Sequence, residues 1–368
     1  MDDLRDTLET AEEEQTASEL RRRLRTAEAE VRRLQDETVD AAAIRKLMGA
    51  ALSYQPEPPE WLGAHKRKEW RHGVPLLAIA DLHWGERVDP AQINHVNEYS
   101  LETAQTRLCR VFERSAMLLA DILGSSYPGV VVGLLGDILT GYIHEEIREN
   151  ADVRLLPACF DVADHLSAGI DLLAGEFGRV FVSGVVGNHG RLDAKPRSKF
   201  GVVDNVDWLV YTLLQRKYRG DDRVTIQVPD TFDAAFRIYG TRILLTHGNQ
   251  FRGGSGISGP ATPWALGDHR KRKVRDAMRM AYDTMVFGHW HSSATGIADS
   301  YFAVGTLKGY DEYAMNRNLP FERPSQGLYV VHPEHGFTFR MKVYGDEVEQ
   351  PRATDWVSIT EKQGRERT

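Results

Sequence analysis

From Val74 onward the chain alternates short, nearly unbroken apolar runs with longer stretches of helical period. Val74–Ala80, Val130–Leu135, Val180–Val186, Arg242–Leu245 and Met285–Phe287 are the clearest runs. Continuous apolar segments of this length suit strands buried on both faces of a sheet. Val224–Val228, Phe236–Tyr239, Tyr301–Val304, Gly327–Val331 and Phe337–Tyr344 are further expected strands, and helices are expected over about 98–123, 143–176, 204–218 and 268–281. The alternation predicts an α/β or α+β fold, a mixed sheet core flanked by helices. No internal repeat of fixed period is visible.

The first 52 residues have a different texture. They contain no Pro, and Leu20, Leu24, Ala27, Val31, Leu34, Thr38 and Ala41 follow a 4, 3 spacing. That is a heptad seam, which predicts a long helix and self-association as a coiled coil, hence a homo-oligomer through residues 1–52. Pro56, Pro58 and Pro59 end the segment, because proline removes the helical N–H and pushes its predecessor to extended geometry. The expected organisation is therefore a helical segment (1–52), a linker (53–72), a catalytic domain (73–348) and a polar tail (349–368).

Composition narrows the class. The 368 residues are 42% hydrophobic and 27% charged, as in an ordinary globular protein. No run approaches the roughly 18–20 apolar residues of a membrane span, and the acidic start has no apolar stretch behind it. Cys109 and Cys159 are too few for a disulfide framework and are expected to be core thiols. The expectation is a cytoplasmic protein without a membrane partner. The net charge of −7 conceals a basic section: residues 190–290 carry 17 Lys and Arg against 10 Asp and Glu, a net of +7.

The chemistry lies at the ends of the apolar runs. Asp81-Leu82-His83, Gly136-Asp137, Gly187-Asn188-His189, His247-Gly248 and Gly288-His289-Trp290-His291 each follow one directly. Asp and His suit divalent Mn, Fe or Zn, and an Asn carbonyl can join them. If the segments stay extended, Asp81 with His83, and His289 with His291, point the same way and can share an ion. Ligands at the C-terminal ends of strands converge above the sheet edge, where α/β proteins place their sites.

This ordered set, spread over about 210 residues, resembles that of the calcineurin-like metallophosphoesterase superfamily. In kind it sits with the DNA-repair-exonuclease-like and phage-type members. The resemblance implies a four-layer sandwich of two mixed β-sheets flanked by helices, and a centre of two divalent metals, Mn²⁺ foremost with Fe or Zn as alternatives. It implies that Asp81, His83 and His291 hold one metal, that Asn188, His247 and His289 hold the other, and that Asp137 bridges them. His189 would stand beside the phosphate and protonate the leaving oxygen. Two such cations can ionise a bridging water at neutral pH and clamp an in-line displacement.

One departure concerns position 190. Many superfamily members carry Asp or Glu after the Asn-His pair, and here Gly190 stands there, with Asp193 as the nearest acid that could orient His189. Arg191 is a candidate phosphate-binding cation. His144-Glu145-Glu146 lacks the second His of a zinc protease and is left as a cleft or helix-surface feature. The Gly248–Pro260 tract, with five glycines, and Lys308, Tyr310 and Tyr313 are candidate cleft elements. Arg191, Lys195, Arg197 and Lys199, and the run His269–Lys273 with Arg275 and Arg279, lean toward a nucleic-acid substrate. The expected function is thus a two-metal phosphodiesterase or nuclease. The alternatives are a phosphatase or phosphodiesterase for nucleotides or phosphoproteins, and a non-catalytic scaffold.

Overall fold

Each expected apolar run forms a strand. The computed structural model describes residues 73–347 except 124–126, 144, 194, 229 and 253–258. The heptad segment 1–52, the linker 53–72, the tail 349–368, His144 and the centre of the Gly-rich tract lie outside the described residues. The strands are β1 (Val74–Ile79), β2 (Val130–Leu134), β3 (Val180–Gly184), β4 (Val224–Gln227), β5 (Asp233–Ile238), β6 (Thr241–Thr246), β7 (Thr284–Phe287), β8 (Ala294–Thr295), β9 (Tyr301–Ala303), β10 (Ser325–His332) and β11 (Gly336–Tyr344). Six of them form one sheet in the order β11-β10-β1-β2-β3-β4, and five form a second in the order β5-β6-β7-β9-β8. Both are mixed. β1 to β4 run parallel with β10 and β11 antiparallel at one side, whereas β6, β7 and β9 run parallel between antiparallel β5 and β8.

Side-chain alternation sets the layers. In β1, Leu77 and Ile79 face the helices α1 (Leu101–Met117), α3 (Leu155–Phe177) and α4 (Val206–Lys217). Val74, Leu76 and Ala78 face the other sheet, where Phe236, Ile243, Leu245, Val286 and Phe302 meet them. On the far side Leu244, Met285 and Phe287 pack against Trp264 of α5 (Ala261–Ala277). Helices, sheet, sheet and helix make four layers. Two short helices, α2 (Glu145–Glu149) and α6 (Glu312–Asn316), lie in connections. Among the described residues, no helix is long and apolar enough to cross a membrane.

Some boundaries differ from the sequence expectation for local reasons. The stretch 143–176 breaks into α2 and α3, and Pro157 sits in the first turn of α3, where its missing N–H costs nothing. α5 begins at Ala261, ahead of position 268, with Pro263 in its first turn. It stops at Ala277, ahead of position 281, where Met278 caps it and Arg279 turns left-handed (φ 59°). Cys159 is a buried thiol as expected, but Cys109 is exposed on α1, its Sγ donating to Glu113 Oε1 at 3.3 Å.

Candidate metal centre

The ends of β1, β2, β3, β6 and β7 converge above the facing sheets, and their polar residues meet there. Three groups of donor atoms lie within 4.8 Å: Asp81 with His83 and His291, His83 with Asp137 and His189, and Asp137 with His247 and His289. Asn188 joins the last, its Oδ1 3.1 Å from His247 Nε2. All eight residues singled out from the motifs, seven as ligands and His189 beside them, are therefore brought together. Arg191 lies at the rim, half-buried, its guanidinium donating to the backbone oxygens of Asn188 (2.9 Å) and Asp193 (3.1 Å).

Strand periodicity is not what pairs them. Asp81 (φ 52°), His83 (49°), Asp137 (48°), His289 (69°) and His291 (52°) all adopt left-handed backbone, so neither Asp81 and His83 nor His289 and His291 share a face as extended residues. Each conformation costs about 1–3 kcal/mol for a non-glycine residue, and Asp, Asn and His tolerate it best. The loops that carry them also touch. A Cβ on Gly187 would lie 2.1 Å from Asp137 Oδ1, so only glycine lets the loop after β3 reach the loop after β2.

Hydrogen bonds fix which ring nitrogens face inward. His83 Nδ1 lies 3.2 Å from Glu86 Oε2, which directs Nε2 toward His291 Nε2 at 3.1 Å. His247 Nδ1 donates to the Leu135 carbonyl at 2.8 Å, leaving Nε2 beside Asp137 Oδ2 at 2.9 Å. Asp81 Oδ2 accepts from the His289 N–H at 2.8 Å, while its Oδ1 is buried without a hydrogen-bond partner. An orphaned carboxylate oxygen facing inward-turned imidazole nitrogens about 3–4 Å away suits donors of one cation at about 2.0–2.2 Å.

The protonation states follow the same geometry. Burial, then repulsion from the neighbouring His247, pushes His289 down to about 3. Burial, offset in part by Asp137, pushes His189 down to about 4, and burial with His83 depresses His291 strongly. These rings are neutral, as metal ligation requires. Burial disfavours the charged form of His247 too, but the ion pair with Asp137 outweighs it and raises the imidazole to about 9. Burial, only partly countered by His247, carries Asp81 to about 7. A bound divalent cation would take the place of both protons.

Asp193 does not orient His189; its carboxylate pairs with Arg197 at 2.9 Å. His189 Nδ1 instead faces the Thr140 carbonyl at 3.3 Å. A carbonyl only accepts, so Nδ1 carries the proton and Nε2 of the neutral ring carries the lone pair. Lys308 does not line a cleft either. It is buried, held by Glu86 (2.8 Å) and Asp311 (2.5 Å) behind His83. Tyr310 is half-buried and Tyr313 exposed, and Glu145 and Glu146 are exposed on α2.

Sequence reasoning missed Glu86, Thr140, Asn205 and Asp207. Glu86 was within local reach, three residues beyond His83. Asp207 had a weaker signal, an acid set inside the apolar stretch Val206–Tyr211, where a buried charge needs partners.

The basic run around α5 is absorbed by the fold in part. Lys271 and Arg275 pair with Asp233, and Arg272 binds Asp268 and the carbonyls of Tyr282, Asp283 and Ser300. Arg270, Lys273 and Arg279 remain exposed.

Neither a family model nor a curated protein matches the sequence. Among solved structures, the chain is similar to a dimetal phosphatase from Danio rerio (12% identity, 75% of this chain and 100% of that one, TM-score 0.38). It is also similar to an archaeal phosphodiesterase (11%, 73% and 99%, 0.31) and to Entamoeba histolytica Vps29 in complex with zinc (13%, 74% and 99%, 0.30). At these values none of them assigns an activity to this chain. What the residues themselves establish is three overlapping groups of mostly buried Asp and His donors, linked through His83 and Asp137, with the chemistry of a divalent-metal centre.

Proposed function

We propose that the chain is a metallophosphoesterase of the calcineurin-like kind, hydrolysing phosphoesters at a two-metal centre. The observation that carries this reading is the run of donor groups linked through His83 and Asp137, with Asp81 Oδ1 buried and without a hydrogen-bond partner at one end. Asp81, His83 and His291 would hold one divalent ion, Asn188, His247 and His289 the other, with Asp137 common to both; Mn²⁺ is the first choice and Fe or Zn the alternatives. Bound there, the ions would supply Lewis acidity toward phosphate oxygens and a nucleophile at neutral pH.

The chain's own contribution is positioning and proton handling. Glu86 and the Leu135 carbonyl keep His83 and His247 in the tautomers that present Nε2. His189, neutral and anchored at Nδ1, takes a proton at Nε2 before it can give one to the leaving oxygen. Arg191 stands at the rim, where its charge favours an anionic substrate.

The substrate class is a phosphodiester, of nucleic acid or of a nucleotide. Arg191, Lys195, Arg197 and Lys199 beside the site support a polymer. The engagement of Lys271, Arg272 and Arg275 in structural ion pairs favours a small nucleotide. The deciding experiment compares bis-p-nitrophenyl phosphate, p-nitrophenyl phosphate, and single- and double-stranded DNA after EDTA stripping and Mn²⁺ reconstitution. Metal-dependent turnover of the diester supports the reading. Equal turnover in stripped protein rejects it. Assembly through residues 1–52 belongs to the same proposal. Deleting residues 1–55 should lower the molar mass measured by light scattering, and an unchanged mass would reject it.

A further inference from the structure

Position 190 lacks the carboxylate expected after the Asn-His pair, and the space beside it is already filled. A Cβ on Gly190 would lie 2.3 Å from Asn205 Oδ1 and 3.2 Å from Asp207 Cγ. Asn205 caps α4, its Oδ1 accepting from the Asp207 N–H at 2.9 Å, and its Nδ2 donates to the Gly187 carbonyl at 2.8 Å. Asp207, in the first turn of α4, is fully buried. Its Oδ2 accepts from the N–H groups of Asp137 and Gly187, both at 2.9 Å. Its Oδ1 accepts from those of Ile138 (3.1 Å) and Leu139 (3.3 Å). One carboxylate thus holds both the loop that carries Asp137 and the loop that carries Asn188.

We infer that Asp207 is a positioning residue for the half of the centre formed by Asp137, Asn188, His247 and His289, supplying from the start of a helix the acid that the loop lacks at position 190. Two things make the helix a suitable donor of that charge. The first turn of a helix favours an anion, and four N–H donors replace the water that burial removes. The four hydrogen bonds to the carboxylate all come from backbone N–H groups. It acts through the backbone, fixing the left-handed turn at Asp137 and the close approach of Gly187 on which the Asp137 and Asn188 side-chain directions depend.

The inference rests on the two-metal reading, so the test separates them. Wild-type protein is stripped and titrated with Mn²⁺ by calorimetry, alongside Asp207→Asn, which keeps the shape but turns an NH₂ toward N–H donors. The expected result is two binding events in the wild type. In Asp207→Asn, one event should weaken by about 10–100-fold, the usual size for a supporting partner of a ligand, and the other, which would share only Asp137 with that half, should weaken less. A triple variant, Gly190→Asp with Asn205→Ala and Asp207→Ala, returns an acid from the loop side and should recover part of the loss. Near-UV circular dichroism of the metal-free proteins checks the fold. If the wild type binds no metal, the two-metal reading fails. If it binds two and Asp207→Asn binds both equally well, the positioning role is overturned. Equal weakening of both events, or an unfolded Asp207→Asn, overturns it as well, because the residue would then support the fold as a whole.

Discussion

The two halves of the centre are held by different means. Behind His83 stands a chain of buried side-chain charges, Glu86, Lys308 and Asp311, in which Glu86 also accepts from Thr140 Oγ1 at 2.6 Å. Burial opposes the charge on Glu86, but Lys308 overcomes it and holds the carboxyl well below its usual range. Behind His247 stands main chain, the Leu135 carbonyl, with the adjoining loops held through their N–H groups by Asp207. The first half is tuned by charge and is breakable at a side chain. The second is set by backbone geometry, supported among the described residues by the Asp207 carboxylate and the Asn205 amide. A difference of this kind makes separate failures of the two halves measurable.

The largest effect should come from what the halves share. Chelation should abolish phosphodiester hydrolysis and Mn²⁺ restore it. Asp137→Asn should lower kcat by at least ~10²-fold in the reconstituted enzyme, as loss of a metal-centre contribution does. His189→Ala should cost about 10²–10⁴-fold while leaving both metal-binding events in place, a combination that calorimetry and steady-state kinetics together would expose. Loss of metal binding in His189→Ala would instead make it a ligand.

Next comes the charge-tuned half alone. Lys308→Met strands two buried carboxylates, and breaking a buried pair in this way costs about 3–5 kcal/mol, read as a shift in the denaturant midpoint. Adding Glu86→Gln should recover part of that. If Lys308→Met unfolds at the wild-type midpoint, the network behind His83 contributes nothing and the contrast collapses.

The apolar runs and the ligands at their ends were legible because both are local. A strand buried on two faces must read as a continuous apolar segment, and Asp, Asn or His at its end has few reasons to be there. Asp207 and Lys308 were not legible as supports. They reach the site from about 70 and 225 residues away from Asp137 and His83, through contacts that only the folded chain creates. The left-handed backbone at Asp81, His83, Asp137, His289 and His291 was equally hidden, since spacing alone suggested extended pairs. The α5 cluster is the opposite case. Local charge density looked like a surface patch, while Asp233 and Asp268 had already claimed Lys271, Arg272 and Arg275.

A smaller effect separates the halves by pH. His247 has its imidazole raised to about 9 by Asp137, against an ordinary 6.5. A raised value means the ion pair contributes fully below about 6.5 and is lost as pH rises through about 9. Metal-free wild type should therefore lose Tm between pH 7 and 9 more steeply than His247→Gln, with the two curves converging at the alkaline end. Parallel curves would show that the pair does not form without metal.

The smallest effect concerns the exposed remainder of the basic run. Arg270→Ala with Lys273→Ala should flatten the salt dependence of DNA affinity by up to about two phosphate equivalents, measured by fluorescence anisotropy. Lys271→Ala with Arg272→Ala should mainly lower Tm. An unchanged salt slope in the first pair would favour the small-nucleotide reading.

The place of β10 has a consequence for the nascent chain. β10 is the neighbour that closes β1, and Gln326 clamps Ala80, accepting from its N–H at 2.6 Å and donating to its carbonyl at 3.2 Å, across 246 residues of sequence. While a ribosome is still making the stretch between them, β1 has an open edge beside Asp81 and His83. At about 5–20 residues per second that interval lasts roughly 12–50 s. A chain arrested before Ser325 would therefore expose an unpaired, wholly apolar strand edge to aggregation.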